Sequence, residues 1–389
     1  MRSLVYLAWR HARAHAGRTF LLILCIALAV WVPMTAGSLA GRYNHDLRAR
    51  AASTPLLVGA PGNRYDLTLA ALYYRPSERL ETITYGDLET LQGEDRAVCI
   101  PLHQRFTARG FPIVATSVEY AEFRDLRLAD GADALRIGQC ALGSEVAREL
   151  GLTAGDALYS DPTELYDIAR PPALKMRVSG VYAPTGTPDD RAVFCDVRTA
   201  WVLEGIAHGH DEVDSIDEEL VLSRTEASVA VSGALIEYAE VTEANEASFH
   251  YHGDTSLLPL TAVVCVPPDE KSGTLLKSGV NARLPLQAVT PSAVIDDHLG
   301  IVFRVKAFFD LVGGFLIATT AALVALVFLL SSRLRAGEMR TLDRIGAPRS
   351  SAAWLIGIEV AGTLVCAVAL AGAATWLTLR LLPDLVSAF

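Results

Sequence analysis

Lysine is nearly missing from these 389 residues: four stand against thirty arginines, and the 34 basic residues are outnumbered by 44 acidic ones. No GxxxxGK(S/T) phosphate loop occurs. The nearest approach, Gly273-Thr-Leu-Leu-Lys-Ser, lacks the second glycine that lets backbone amides wrap a phosphate, so the chain is not expected to hydrolyse ATP by itself. GxSxG, HExxH and CxxC patterns are absent too, which leaves an enzyme reading without a nucleophile or a metal constellation. The net charge is −10, yet residues 42–332 hold −16, because the segments before and after them are basic. Such an acidic body disfavours nucleic acid and anionic lipid as partners. Much of the excess lies in 204–246, with Asp211, Glu212, Asp214, Asp217, Glu218 and Glu219, and reads as a solvated loop. No internal repeat is visible.

What is abundant is apolar surface: 51% of the residues are hydrophobic. A bilayer core needs about 20 apolar residues in helical form. Residues 19–41 supply 23 positions and residues 311–332 supply 22, all free of Asp, Glu, Lys and Arg. Residues 350–379 carry a single charge, Glu359. Arg2, Arg10, Arg13 and Arg18 precede the first span, and Arg333, Arg335, Arg340, Arg344 and Arg349 lie between the second and third. Basic flanks stay inside. The expected order is a cytoplasmic segment 1–18, spans at 19–41, 305–332 and 351–379, an outside body at 42–304, a cytoplasmic loop at 333–350 and an outside tail at 380–389. A cleaved signal peptide ending at Ser38-Leu39-Ala40 is the alternative for the first span. Its apolar stretch exceeds the roughly 7–15 residues usual there.

The outside body alternates short strands and helices and is large enough for a core of its own. Residues 99–118 read as two strands around an Arg109-Gly110 turn, and 143–152 as a helix stopped by Gly151. From Ser292 a helical pattern runs unbroken into the second span. Of six cysteines, Cys25 and Cys366 lie in spans, while Cys99, Cys140, Cys195 and Cys265 sit in apolar, strand-like runs outside. Four cysteines allow three pairings, and spacing does not choose among them or against buried free thiols. His208-Gly-His210 and His250-Tyr-His252 each carry nearby carboxylates. Converging imidazoles could hold zinc, with His208 and His210 as candidate ligands; exposed loop histidines are the plainer reading. Glu359 is the sharpest single residue in a span, where ionisable groups usually face protein interior or water. It is read either as an interface-level acid or as a packing contact.

Between the last two spans runs RAGEMRTLDRIGAPRSSAAW, residues 335–354. Leu334, Met339, Leu342 and Ile345 make an apolar stripe, with Arg335, Glu338, Arg340 and Asp343 beside it. Gly346 can end the helix in the left-handed region, and Pro348 stops it. An amphipathic helix of this kind can lie on a membrane, merely link, or dock into a groove on another protein.

Arg335, Glu338, Met339, Leu342, Ile345, Gly346 and Ala347 resemble the cytoplasmic loop of FtsX-like permeases, the membrane subunits of ABC transporters of the MacB and LolCDE kind. The family pattern there is roughly R-x-x-E-I-x-x-L-R-A-L-G-A; Asp343 departs from its arginine. LLVGAPGNRYDLTLAALYYRP (56–76), LGSEVARELGLTAGD (142–156) and VSGVYAPTGTPDDRAVFCDV (178–197) resemble parts of a MacB-like periplasmic core domain, and LQAVTPSAVIDDHLGIV (286–302) resembles the re-entry to the second span. Family members usually have four spans where three are found here. The residues themselves read as α+β, with a helical membrane domain of three predicted spans and an extracytoplasmic mixed α/β ectodomain, which the resemblance divides into two subdomains. Residues 42–132 and 255–304 would form one subdomain, and 133–254 an insertion. It further implies a non-catalytic permease subunit in the cell (inner) membrane, with the periplasmic domain outside. No cofactor is implied for the chain itself, since ATP would be bound by a partner ABC ATPase docked on the 335–346 helix. A second permease copy or paralogue, and a periplasmic protein or lipoprotein, complete the expected partners. The alternative is a membrane-anchored sensor or scaffold without an ATPase.

Overall fold

The computed structural model describes residues 2–75, 80–134, 136–162, 173–209, 221–224, 229–231, 239–251, 253–334, 337, 340–341, 344, 348 and 350–381. The chain divides into two compact units: a helical unit of Met1–Leu47 with His298–Phe389, and a sheet unit of Arg48–Asp297.

The helical unit contains α1 (Arg2–Ala14), most of α2 (Ala16–Ala52) and α9 (Pro291–Leu334), and α10 (Ser350–Leu381). Three of these, α2, α9 and α10, are long and apolar enough to cross a membrane. Leu22, Ile26 and Ala27 of α2 pack with Val324 of α9 and Ala367 of α10. Small residues allow the close approach: a Cβ on Gly313 would lie 3.1 Å from the ring of Pro33. Lipid offers no hydrophobic drive between helices, so such close packing and interhelical hydrogen bonds supply the association. One such bond joins Thr35 and Thr375, whose hydroxyls are 3.1 Å apart.

The sheet unit opens with β1 (Leu56–Gly59), α3 (Arg64–Tyr73), β2 (Ile83–Thr84) and α4 (Tyr85–Gly93). Then come β3 (Val98–His103), β4 (Thr107–Ala108), β5 (Phe111–Thr116), α5 (Glu119–Phe123), β6 (Leu128–Gly131), β7 (Gln139–Leu142) and α6 (Ser144–Leu150). The middle holds β8 (Ala157–Tyr159), β9 (Lys175–Tyr182), β10 (Val193–Asp196), α7 (Val197–Leu203), β11 (Ala207–His208), β12 (Val221–Arg224) and β13 (Val229–Val231). It closes with β14 (His250–Tyr251), β15 (Pro259–Leu260), β16 (Ala262–Val266), α8 (Glu270–Arg283) and β17 (Gln287–Val289). Eleven strands form one mixed sheet in the order β17-β1-β16-β3-β5-β10-β7-β9-β6, with β4 on β5 and β8 on β9. Strands of the expected insertion (β7 to β10) and of its host adjoin in this sheet, β10 pairing parallel to β5 and antiparallel to β7.

The local causes are ordinary. β1 and most of β16 are buried runs of aliphatic residues, as strands covered on both faces require. Arg109 (φ 52°) and Gly110 (φ 80°) turn β4 back onto β5, where the sequence places them. The Asp161 carboxylate accepts both turn amides, at 2.9 and 2.8 Å. Helix α6 ends at Gly151 in the left-handed region, and α4 starts in a capping box between Thr84 and Asp87. The helical pattern read from Ser292 is one helix, α9, 44 residues long.

Candidate functional site

In the helical unit, Glu359 of α10 is the carboxylate that the sequence places within the third span. Its side chain is 4% exposed. Arg18, in the first turn of α2, donates from Nη2 to Glu359 Oε1 at 3.0 Å. His11 of α1 brings Nε2 to 3.5 Å from the same oxygen. Arg18 also donates from Nη1 to the Ser331 hydroxyl at the end of α9. One carboxylate thus joins α10 to α1 and α2, and through Arg18 to the end of α9. A carboxylate in hydrocarbon persists only with such pairing. Interhelical polar contacts in bilayers contribute about 0.6 kcal/mol on average and at most about 1.7. Arg18→Ala, which leaves the acid without its cation, should therefore lower the detergent-phase stability of the helical unit by about 0.6–1.7 kcal/mol. Glu359→Gln, which keeps an acceptor, should cost less. Equal melting of the two variants would count against the ion pair.

The loop residues Arg335, Glu338, Met339, Leu342, Ile345 and Gly346 lie outside the described residues. Gly337, Arg340, Thr341 and Arg344 between them are helical and exposed, and the Thr341 hydroxyl donates to the Gly337 carbonyl at 3.1 Å. Those four belong to the polar side of the pattern.

A second buried ion pair lies within the sheet unit. Arg50, in the last turn of α2, is 6% exposed and Asp189 is 3% exposed. The guanidinium holds the carboxylate with two bonds, Nη1 to Oδ2 at 2.6 Å and Nη2 to Oδ1 at 2.7 Å. Its Nη2 also reaches the Tyr74 hydroxyl at 2.9 Å and the Tyr120 hydroxyl at 3.1 Å, and Nε donates to the Leu72 carbonyl at 3.2 Å. The Tyr74 hydroxyl in turn donates to Asp189. Tyr74 does this from the left-handed cap of α3, φ 57°, a conformation rare outside glycine. Burial pushes the Asp189 carboxyl up, but Arg50 and the Tyr74 hydroxyl outweigh it and hold Asp189 below its ordinary value. Burial beside that carboxylate pushes the Tyr74 phenol well up.

The Thr185-Gly-Thr-Pro-Asp-Asp190 stretch builds the seat for Asp189. Asp190 accepts the amides of Thr185 at 2.8 Å and Gly186 at 2.7 Å, and Pro188–Arg191 forms a 3-10 turn capped by Thr187. Gly143 lies so close beneath that a Cβ there would meet the Asp189 carbonyl at 2.2 Å. No sequence signal singled out Arg50 or Asp189: one is among several arginines, the other among several turn acids.

The two histidine motifs do meet. His208 on β11 stands opposite His250 on β14, with ring centroids 4.9 Å apart. His250 Nδ1 donates to the Ser248 carbonyl at 2.8 Å, which fixes the proton there. His210 and His252 fall outside the described residues. Among the described residues no three His, Cys, Asp or Glu side chains converge as a metal set.

No family model matches the sequence, and no curated protein does. Among solved structures, the chain is similar to the periplasmic region of MacB from Actinobacillus actinomycetemcomitans, with TM-score 0.36 and 10% identity over 64% of this chain and 92% of that one. It is also similar to the extracellular domain of the noncanonic ABC-type transporter YknZ from Gram-positive bacteria, with TM-score 0.33 and 12% identity over 61% of this chain and 99% of that one.

Proposed function

We propose that the chain is the non-catalytic membrane subunit of an ABC-type complex, which converts ATP-driven movement of a partner ATPase into movement of its own outside domain. The observation that carries this reading is α9. It is a single helix from the strand β17 side of the sheet unit to the loop whose residues resemble an ATPase-docking helix. At about 1.5 Å per residue it is about 66 Å long, roughly twice the ~30 Å hydrocarbon core. In this reading a displacement at its Leu334 end is passed along the helix toward its first turns. Its first turns are seated in the sheet unit: Val294 is 6% exposed and Ile295 fully buried, and Arg48 holds Asp296 at 3.0 Å. Coupling requires that the ATPase dock differently in its two nucleotide states. Two such chains, or this chain and a paralogue, would pair with two ATPases. The cargo would be a lipoprotein, another substrate outside the membrane, or a protein switched by contact.

The test is detergent purification of the tagged chain from its own cells, with mass spectrometry and ATP turnover of the eluate. An ABC ATPase should co-purify. Leu342→Asp, which puts a charge at the centre of the apolar stripe, removes a docking anchor worth about 2 kcal/mol or more, so ATPase retention should fall more than about tenfold. An eluate without an ATPase, or one whose ATPase is indifferent to Leu342→Asp, would sink the permease reading and leave a tethered sensor or scaffold.

A further inference from the structure

Sequence spacing leaves three ways to pair the four cysteines of the sheet unit, and the strand register selects one. Cys99 of β3 lies directly opposite Cys265 of β16, and Cys140 of β7 directly opposite Cys195 of β10. Opposed residues on antiparallel ladders have Cα atoms about 4.5–5.5 Å apart, inside the roughly 4.4–6.8 Å that a disulfide bridges. Cys99 and Cys265 already face each other, with sulfurs 3.7 Å apart.

The two pairs differ in chemistry. Cys99 is 7% exposed beside the exposed Val98, and it lines an open groove of about 580 Å³ with Tyr85, Leu88 and Trp201. Cys265 behind it is fully buried. The contact with Cys265 holds the Cys99 thiol below its usual range; the same contact and burial push Cys265 up. In the other pair burial pushes Cys140 up to about 12 and Cys195 well above its usual range. Thiolate character and access set the rate of disulfide exchange, so one pair is poised and the other is not.

We propose that Cys99 and Cys265 are a cross-strand redox pair, with Cys99 as the attacking thiol and Cys265 as the resolving one, oxidised by an external small-molecule or protein disulfide. The Cys99 thiolate attacks one sulfur of the external disulfide. That S–S bond breaks, the released thiolate takes a proton, and Cys99 is left in a mixed disulfide. Cys265 gives up its proton and attacks the Cys99 sulfur, expelling the second external thiol. Two thiols of the chain become one disulfide, and one external disulfide becomes two thiols. The product closes a covalent loop from β3 to β16, the strand that leads through α8 and β17 into α9.

The experiment uses the full-length chain in detergent, reduced, freed of reductant and incubated with oxidised glutathione, then acid-quenched, alkylated after unfolding and mapped by mass spectrometry. The six thiols should fall to four, with a linked Cys99–Cys265 peptide and with Cys140 and Cys195 alkylated. Cys265→Ser should instead accumulate a glutathione adduct at Cys99. The proposal is overturned if wild-type Cys99 and Cys265 are both recovered alkylated, if Cys99 is linked elsewhere, or if its glutathione adduct persists unresolved. The wild-type result decides even where the variant fails to fold.

Discussion

Asp189→Ala should destabilise the sheet unit by about 3–5 kcal/mol, the loss measured when one partner of a buried ion pair is removed. The cause is the guanidinium left behind. Arg50, 6% exposed, would keep two phenol hydroxyls and one carbonyl but no counter-charge. Replacing both partners by apolar residues of similar size, Arg50→Met with Asp189→Leu, removes the stranded charge, so the double variant should be more stable than the single one. Trp201, the only tryptophan between residues 48 and 297, gives the unfolding signal for full-length protein in detergent. A double variant no better than Asp189→Ala would mean that the tyrosine hydroxyls, and not the charge, set the cost.

The pH dependence follows with a definite sign. Asp189 is held below its ordinary value of 3.8 in the folded state. Its contribution is therefore fully present above that value and is lost as pH falls through the lower folded-state value. Wild type should shed this stability only in strong acid, and Asp189→Ala should lack that acid step.

Trp201→Ala should cost the same unit about 3–5 kcal/mol, the range for deleting a large buried aromatic. Trp201 is 4% exposed in α7 and meets Tyr85 and Tyr251 edge-on at 5.6 and 5.8 Å. Its Nε1 donates to the Pro259 carbonyl at 2.9 Å. The ring therefore ties the segment expected to be inserted to α4 and β15 of its host. Trp201→Phe keeps most of the ring packing and loses the donor, which should cost about 1–3 kcal/mol for a buried acceptor left alone. Urea titration followed by far-ultraviolet circular dichroism measures both. A shift in midpoint at constant slope is the expected form; equal losses for the two variants would assign the effect to the hydrogen bond.

The elements legible in the sequence are those set by local pattern. Apolar length gave the three span-length helices, the unbroken period from Ser292 gave α9, and Arg109-Gly110 and Gly151 gave a turn and a stop. The contacts that organise the candidate site are non-local and leave no periodic trace. Arg18 and Glu359 are 341 residues apart, and Arg50 and Asp189 are 139 apart. Glu359 could be flagged because a charge in a span is conspicuous; its partner could not, since Arg18 reads equally well as a topology signal. Helix α1 was missed for a related reason. Residues 1–18 show as a basic flank, and only the packing of α1 against α10 reveals the helix as part of the unit. The cysteine pairing needed the strand register, which spacing does not carry.

The sheet order also dictates when this protein can finish folding. β1 is the first strand to be synthesised, yet its two neighbours, β16 and β17, come from the far end of the sheet unit: Leu56 pairs with Cys265, and Leu57 with Val289. Until those strands have emerged, an aliphatic strand waits with both edges open, the condition that invites wrong pairing. Contacts so distant in sequence also make folding slow. Delayed synthesis of the β16–β17 segment should therefore raise aggregation before it lowers any measured activity.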